Sequence, residues 1–374
     1  MPVVDIHTHV YPPSFMDLLR SRSAVPYIRS FPPDTSPRLI ILPGEDSPSN
    51  PSTARGRPIG PEFYDISKKI EFMGKHRIDI SVISLANPWL DFLPADDAGP
   101  IAQRVNEEIN ELCDQYPGRL FAFGALPVSA SREVIVMEIA RLSEKKYIKG
   151  VVMGSSGLGR GLDDPALDPI YEALQEHQLT VFLHPHYGLP KEVFGPRASD
   201  YGHVLALALG FPLETTVAVT RMLLSGVWDR FRALSVLLAH SGGTLPFLAG
   251  RIESCVHHDN HLLDELKQGE RRSIWDILKN NIYLDAVIYS QIGLKAAVDA
   301  SGSNRIMFVS SNGNFLAGTD HPFFPPLESK DDEWPSVQAN FNAIKDAFDG
   351  NKEAADSILG GNAIRLLKLE LRAE

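Results

Sequence analysis

Eight short apolar runs punctuate the 374-residue chain, most of them followed by a stretch with helical spacing, and this alternation constrains the fold more than any other feature. The runs are Pro2 to Val10, Ile78 to Leu85, Leu120 to Val128, Ile148 to Met153, Leu179 to Leu183, Leu234 to Ala239, Ile282 to Ile288 and one that begins at Arg305 to Phe308. Ile148 to Met153 is almost continuously apolar, as a strand buried on both faces must be. Between the runs, Asp65 to His76 (Ile66, Ile70, Met73) and Ile101 to Tyr116 (Val105, Ile109, Leu112) carry the three- and four-residue spacing of amphipathic helices. Ser14 can cap a first helix, Ser131 opens another towards Lys145, and Glu214 to Leu224 reads as a further one. Alternating strands and helices build parallel βαβ units, and eight units favour closure into a barrel over an open sheet. The expectation is an α/β fold, a (β/α)8 TIM barrel, as one domain over residues 1–374 without a solenoid repeat.

One connection is too long to be idle. From Ser21 to Gly60 the chain turns rich in Pro, Ser and Arg, with only Arg38 to Leu42 reading as a strand. Residues 21–60 are therefore predicted to form a lid after strand one. Within it Arg55 and Arg57 are candidate anion contacts, and solvated loop arginines are the equally ordinary alternative.

Composition excludes several classes of function. With 36 basic against 47 acidic side chains the formal net charge is -11, which disfavours nucleic acid and anionic membranes as partners. Two cysteines, Cys113 and Cys255, require no disulfide framework and suit a reducing compartment. Met1 runs into the first strand without a basic and apolar leader, and no apolar run reaches the ~18 residues of a membrane span. A soluble cytoplasmic protein is expected.

The chemistry gathers at the strand ends. His7 and His9 stand at i and i+2, a spacing that turns both imidazoles to one side of a strand. Asn87 follows strand two, His184 ends strand five, His240 ends strand six and Asp320 lies just beyond strand eight. In such a barrel these ends form one mouth. Three histidines and a carboxylate, His7, His9, His184 and Asp320, make an N/O-rich set that suits Zn²⁺ and is compatible with Mn²⁺ or Co²⁺. His240 fits an acid/base or outer role at the mouth, or a histidine capping the glycine-rich turn after it. His186 can line the mouth or face outwards. His257, His258 and His261 lack strand-end context and read as a solvated helix or loop. The glycines of Gly154 to Gly161 have neither a P-loop Lys-Ser/Thr nor dinucleotide spacing.

Several motifs together resemble one family: Asp5-Ile6-His7-Thr8-His9, Gly161-Leu162-Asp163-Asp164-Pro165, His184-Pro185-His186, Gly210-Phe211-Pro212 with Glu214-Thr215-Thr216, Leu238-Ala239-His240-Ser241-Gly242-Gly243, and Gly318-Thr319-Asp320-His321-Pro322. The chain resembles the amidohydrolase-related metal-dependent decarboxylases, the group of aminocarboxymuconate semialdehyde decarboxylase. Within that group Ser84 to Trp89, Gly56-Arg57-Pro58, His184 to Pro190 and Asp320 to Pro326 look most like the fungal isoorotate (5-carboxyuracil) decarboxylases of thymine salvage. Related enzymes act on resorcylate and methylsalicylate.

The resemblance implies a carboxy-lyase with Zn²⁺ on His7, His9, His184 and Asp320, substrate contacts from Arg57, Asn87 and His240, and Phe323 stacked on the ring. It further implies Asp320 as proton donor, His240 as its assistant, no redox cofactor, a small carboxylated ring as substrate and a homodimer or homotetramer. A metal-dependent hydrolase is the alternative chemistry. Relatives of this kind run from strand eight directly into Gly-Thr-Asp, whereas here the nine residues Val309 to Ala317 intervene, ~30 Å if extended. Either Asn314 to Ala317 replaces the strand's end and the rest bulges away, or Asp320 is displaced and the barrel is weakened or inactive.

Overall fold

The apolar runs become a single parallel sheet. In the computed structural model, which describes residues 2–52, 55–307, 319–326, 334–348, 353 and 357–371, the sheet has eight strands whose order follows the chain. They are β1 (Val4–Val10), β2 (Ile80–Leu85), β3 (Leu120–Ala125), β4 (Ile148–Gly154), β5 (Thr180–His184), β6 (Val236–Leu238), β7 (Ile282–Asp285) and β8 (Ile306–Met307). Every residue of β1, β2, β3 and β5 is buried, the pattern of strands covered by helices outside and by packed side chains inside. Within the barrel Phe123 and Phe182 stack with ring centroids 5.2 Å apart.

Closure uses a segment beyond β8. The amide of Asp320 donates to the His7 carbonyl at 2.9 Å, the amide of His9 donates to the His321 carbonyl at 2.8 Å, and Thr8 and His321 form a parallel bridge. The other edge of β1 pairs with β2, with a register shift between Asp5 and Thr8, and such an irregularity re-aims the side chains beside it. The insertion Val309 to Ala317 lies outside the described residues, but Thr319 and Asp320 after it are docked on β1.

Several local expectations change. The helix after β1 is Pro13–Ser21 and is not capped by Ser14: proline is at home in a first turn, and the free amide of Ser14 donates instead to Glu108 Oε2 at 2.9 Å. The helix expected from Ile101 begins earlier, at Ala95, and spans Ala95–Asp114, carrying Pro100 inside and Asp96 and Asp97 in its first turn. Residues 21–60 hold three short antiparallel strands, Tyr27–Arg29, Arg38–Ile40 and Arg57–Pro58, where one was expected; strands of two and three residues are too short for periodicity to register. The run Leu205–Leu224 is long and apolar enough to cross a membrane by length and composition, with mean hydropathy 1.3. Counting unbroken apolar residues overlooked it because Glu214 and Arg221 interrupt it, and its buried face, including Val219, Met222 and Leu223, packs inward.

Gly150 in β4 tests how tightly the barrel is filled. A Cβ there would stand 2.3 Å from the Thr180 carbonyl oxygen and 2.9 Å from Phe123 Cδ1. Gly150→Ala should lower stability by about 1–3 kcal/mol, read from the denaturant midpoint; an unchanged midpoint would contradict this packing.

Candidate metal centre

His7 and His9 project from β1, His184 ends β5, and Asp320 follows β8. One ligand atom from each of the four lies within 4.8 Å of the other three, and all four residues are buried. The ring centroids of His7, His9 and His184 are 5.1–5.2 Å apart, near edge-on to one another. Phe182 packs beneath His7 at 5.1 Å. Asp320 Oδ1 is 3.4 Å from His7 Nε2 and 3.5 Å from His9 Nε2.

The histidines are oriented by their other nitrogens. His7 Nδ1 meets Asp285 Oδ2 at 2.6 Å, His9 Nδ1 meets Ser84 Oγ at 3.0 Å, and His184 Nδ1 donates to the Pro185 carbonyl at 2.8 Å. The Nε2 atoms of all three are buried without a hydrogen-bond partner. Buried polar atoms are rarely left so, and a histidine whose far nitrogen is held while the near one points into a cluster is arranged as a metal ligand. The donor set therefore fits a divalent cation of borderline character.

Electrostatics of the metal-free cluster agree. Burial works against a charge on His7, but the hydrogen bond to Asp285 and the nearby Asp320 carboxylate raise it to about 10. Burial lowers His9 to about 4. His184 is held well below the usual range by burial and then by the neighbouring histidines His240, His7 and His9. Burial opposes ionisation of Asp320, yet the imidazoles of His240 and His7 that face it hold it well below the carboxylate range.

His240 comes to the same place: its ring lies 5.1 Å from His7 and 5.2 Å from His184, and its Nε2 is 3.9 Å from Asp320 Oδ2. Backbone strain places it there, since His240 and Ser241 both have φ near +50°, a region non-glycine residues seldom adopt. Asp285 holds this turn, accepting from the amides of His240 at 2.9 Å and Ser241 at 2.7 Å.

Phe323 is edge-on to His9 at 5.5 Å, and the Arg57 guanidinium sits 5.9 Å from the centre of the Phe323 ring. Asn87, buried after β2, gives its amide nitrogen to the His186 carbonyl and keeps Oδ1 without a partner. Arg55 stays apart, its guanidinium donating to the Asn50 and Pro48 carbonyls of its own loop at 2.9 and 3.0 Å. His186 is buried, stacked on Tyr187 at 3.8 Å, and Glu214 accepts its amide. His257 and His261 are exposed and pair with Glu253 and Glu265.

Asp285 and Ser84 are the residues that sequence reasoning missed. Reading the seventh run through to Ile288 placed Asp285 in mid-strand, but β7 ends at Asp285; the strand-end rule that found His184 and His240 would have found it. Ser84 is paired opposite His9 in the β1–β2 register, and a serine one residue from a strand's end carries no such signal.

The amidohydrolase family profile matches residues 4–369. The crystal structure of Metarhizium anisopliae IDCase in apo form superimposes with a TM-score of 0.92 at 55% identity, covering 100% of this chain and 98% of that one. The 2-amino-3-carboxymuconate-6-semialdehyde decarboxylase of Dictyostelium discoideum is 26% identical over 368 residues, 98% of this chain and 92% of that protein. The gamma-resorcylate decarboxylase of Rhizobium radiobacter is 27% identical over 319 residues, 81% and 87% of the two.

Two measurements test the centre. Asp285→Asn should weaken affinity for the cation by roughly 10–100-fold in competition with a chromogenic chelator, and an unchanged affinity would remove Asp285 from this role. Because His7 holds its proton up to about 10, a cation must displace it: uptake at pH 7 should release about one proton per ion, and affinity should fall about tenfold per unit as pH drops. Calorimetry in buffers of different ionisation enthalpy reads the release directly, and none released would contradict the assignment.

Proposed function

We propose, from the premise that the chain belongs to the amidohydrolase family, that it is a metal-dependent carboxy-lyase removing CO₂ from a planar carboxylated ring without redox chemistry. The substrate in this reading is 5-carboxyuracil (isoorotate), released as uracil in pyrimidine salvage. The observation that carries it is three buried, unpartnered histidine Nε2 atoms facing the Asp320 carboxylate. An aromatic and guanidinium shelf from Phe323 and Arg57 stands beside them. The 55% identity with an isoorotate decarboxylase favours the pyrimidine, and the decarboxylases at 26% and 27% identity support the reaction class.

Zn²⁺ suits His7, His9, His184 and Asp320, as do Mn²⁺ and Co²⁺, and the cation would supply the positive charge that draws the substrate carboxylate and its neighbouring ring oxygen to the mouth. Phe323 offers a face for the ring, and Arg57 pairs with the anion from the lid side. Asn87 Oδ1, its nitrogen already committed, accepts a ring N–H. When the bond to CO₂ breaks, its electron pair stays on the ring carbon, which must take a proton. Asp320 is the donor in this reading. Since Asp320 is ionised at rest, it has to be recharged first, and His240, 3.9 Å from its Oδ2 and with 16% of its side chain exposed, supplies that proton from the mouth.

A single barrel domain with residues 21–60 as its lid, a homo-oligomeric state and a cytoplasmic location belong to the same reading. A phenolic acid of the resorcylate type is the second reading, favoured by the 27% identical relative.

CO₂ release from 5-carboxyuracil and from 2,6-dihydroxybenzoate should separate the two, with the pyrimidine preferred. Asp320→Asn should cut kcat by about 10³-fold or more, and Arg57→Met should raise KM more than it lowers kcat. Full turnover after the metal is stripped would sink the proposal.

A further inference from the structure

Helix Ile66–Lys75, capped by Asp65, turns Lys69, Phe72 and Met73 into the protein. Phe72 and Met73 suit that face. Lys69 does not, and it is only 1% exposed. A buried ammonium is a costly placement unless its donors are used. Here Nζ meets Thr8 Oγ1 and His321 Nδ1 and lies 3.3 Å from the His321 carbonyl oxygen.

These partners stand on the two segments that carry the candidate ligands. Thr8 lies between His7 and His9, and His321 follows Asp320. The same His321 oxygen accepts Thr8 Oγ1 at 3.1 Å and the His9 amide at 2.8 Å. Thr319 Oγ1 donates to Asp5 Oδ2 at 2.7 Å, and Phe72 packs on the His321 ring at 3.9 Å. Asp320 itself has φ +50°, a left-handed backbone that only surrounding contacts keep in place.

We infer that Lys69 is a positioning residue for the metal centre, its ammonium pinning the Thr319–His321 segment to β1 from behind and so setting the separation of Asp320 from His7 and His9. The inference rests on the metal reading of that cluster and adds a residue that touches none of its ligands. A buried lysine could alternatively serve only the stability of the fold. The two roles part on substitution: either one costs fold stability, because Lys69→Met leaves Thr8 and His321 without their buried partner, but only a loosened ligand segment weakens metal binding beyond what an equally destabilised core variant shows.

The test measures Zn²⁺ affinity by chelator competition, together with the Tm of the metal-free protein. Lys69→Met should raise the Kd for Zn²⁺ by roughly 10–100-fold, well beyond the change in a core variant with a similarly lowered metal-free Tm. Met73→Ala, buried on the same helix face, is that variant: it should lower the metal-free Tm and leave the Kd within about threefold. Should Lys69→Met not fold, Thr8→Val removes the hydroxyl that the ammonium grips and should weaken Zn²⁺ in the same direction. A Kd for Lys69→Met within about threefold of wild type, or affinity losses that track Tm equally in Lys69→Met and Met73→Ala, would overturn the inference. A wild-type chain that takes up no Zn²⁺, Mn²⁺ or Co²⁺ would instead overturn the metal reading beneath it.

Discussion

Two backbone hydrogen bonds hold the site together: Asp320 N to the His7 carbonyl at 2.9 Å and His9 N to the His321 carbonyl at 2.8 Å. Strand pairing fixes neighbouring backbones at a set spacing, so the separation of the carboxylate from the two histidines is a property of the sheet rather than of side-chain rotamers. The same bonds close the edge of β1 that β2 leaves open. Closing the barrel and assembling the candidate ligands are therefore one structural event.

Charge around the cluster is arranged with similar economy. Asp285 serves two elements, orienting the His7 imidazole and holding the amides of the turn that presents His240. Disturbing β7 at its last residue would be felt by a ligand and by the nearby histidine together. His9 and His184, buried against hydroxyl or carbonyl partners, are kept neutral with their lone pairs available. His7, between Asp285 and Asp320, is instead held protonated up to about 10. A cation entering such a site replaces that proton and leaves the surrounding hydrogen bonds unchanged.

Much of this arrangement was legible in the chain because it follows from period and position. Apolar runs marked all eight strands, and the rule that barrel chemistry lies at strand ends collected His7, His9, His184, His240 and Asp320 before any contact was known. Asp285 escaped because strand length is poorly marked when apolar residues continue past the last ladder bond. Lys69 escaped because a lysine within an amphipathic pattern reads as solvated, and its burial depends on Thr8 and His321, 61 residues before it and 252 after it. Within residues 21–60 the strands Tyr27–Arg29 and Arg57–Pro58 were invisible because two or three residues carry no period. Arg55 and Arg57 looked alike in one loop, and only the fold separates them: Arg55 is bound to its own loop's carbonyls, while Arg57 reaches the Phe323 ring.

The ligand set also has a history in time. His7 and His9 are made almost at once, and Asp320 is made 313 residues later, which at ordinary rates of synthesis is a wait of about 15–60 s. During that interval a cation meets imidazoles alone, His7 and His9 and then His184, a set that discriminates poorly among metals that share a taste for nitrogen. Selectivity at the candidate site is thus deferred until the carboxyl-terminal part of the chain arrives and Asp320 docks.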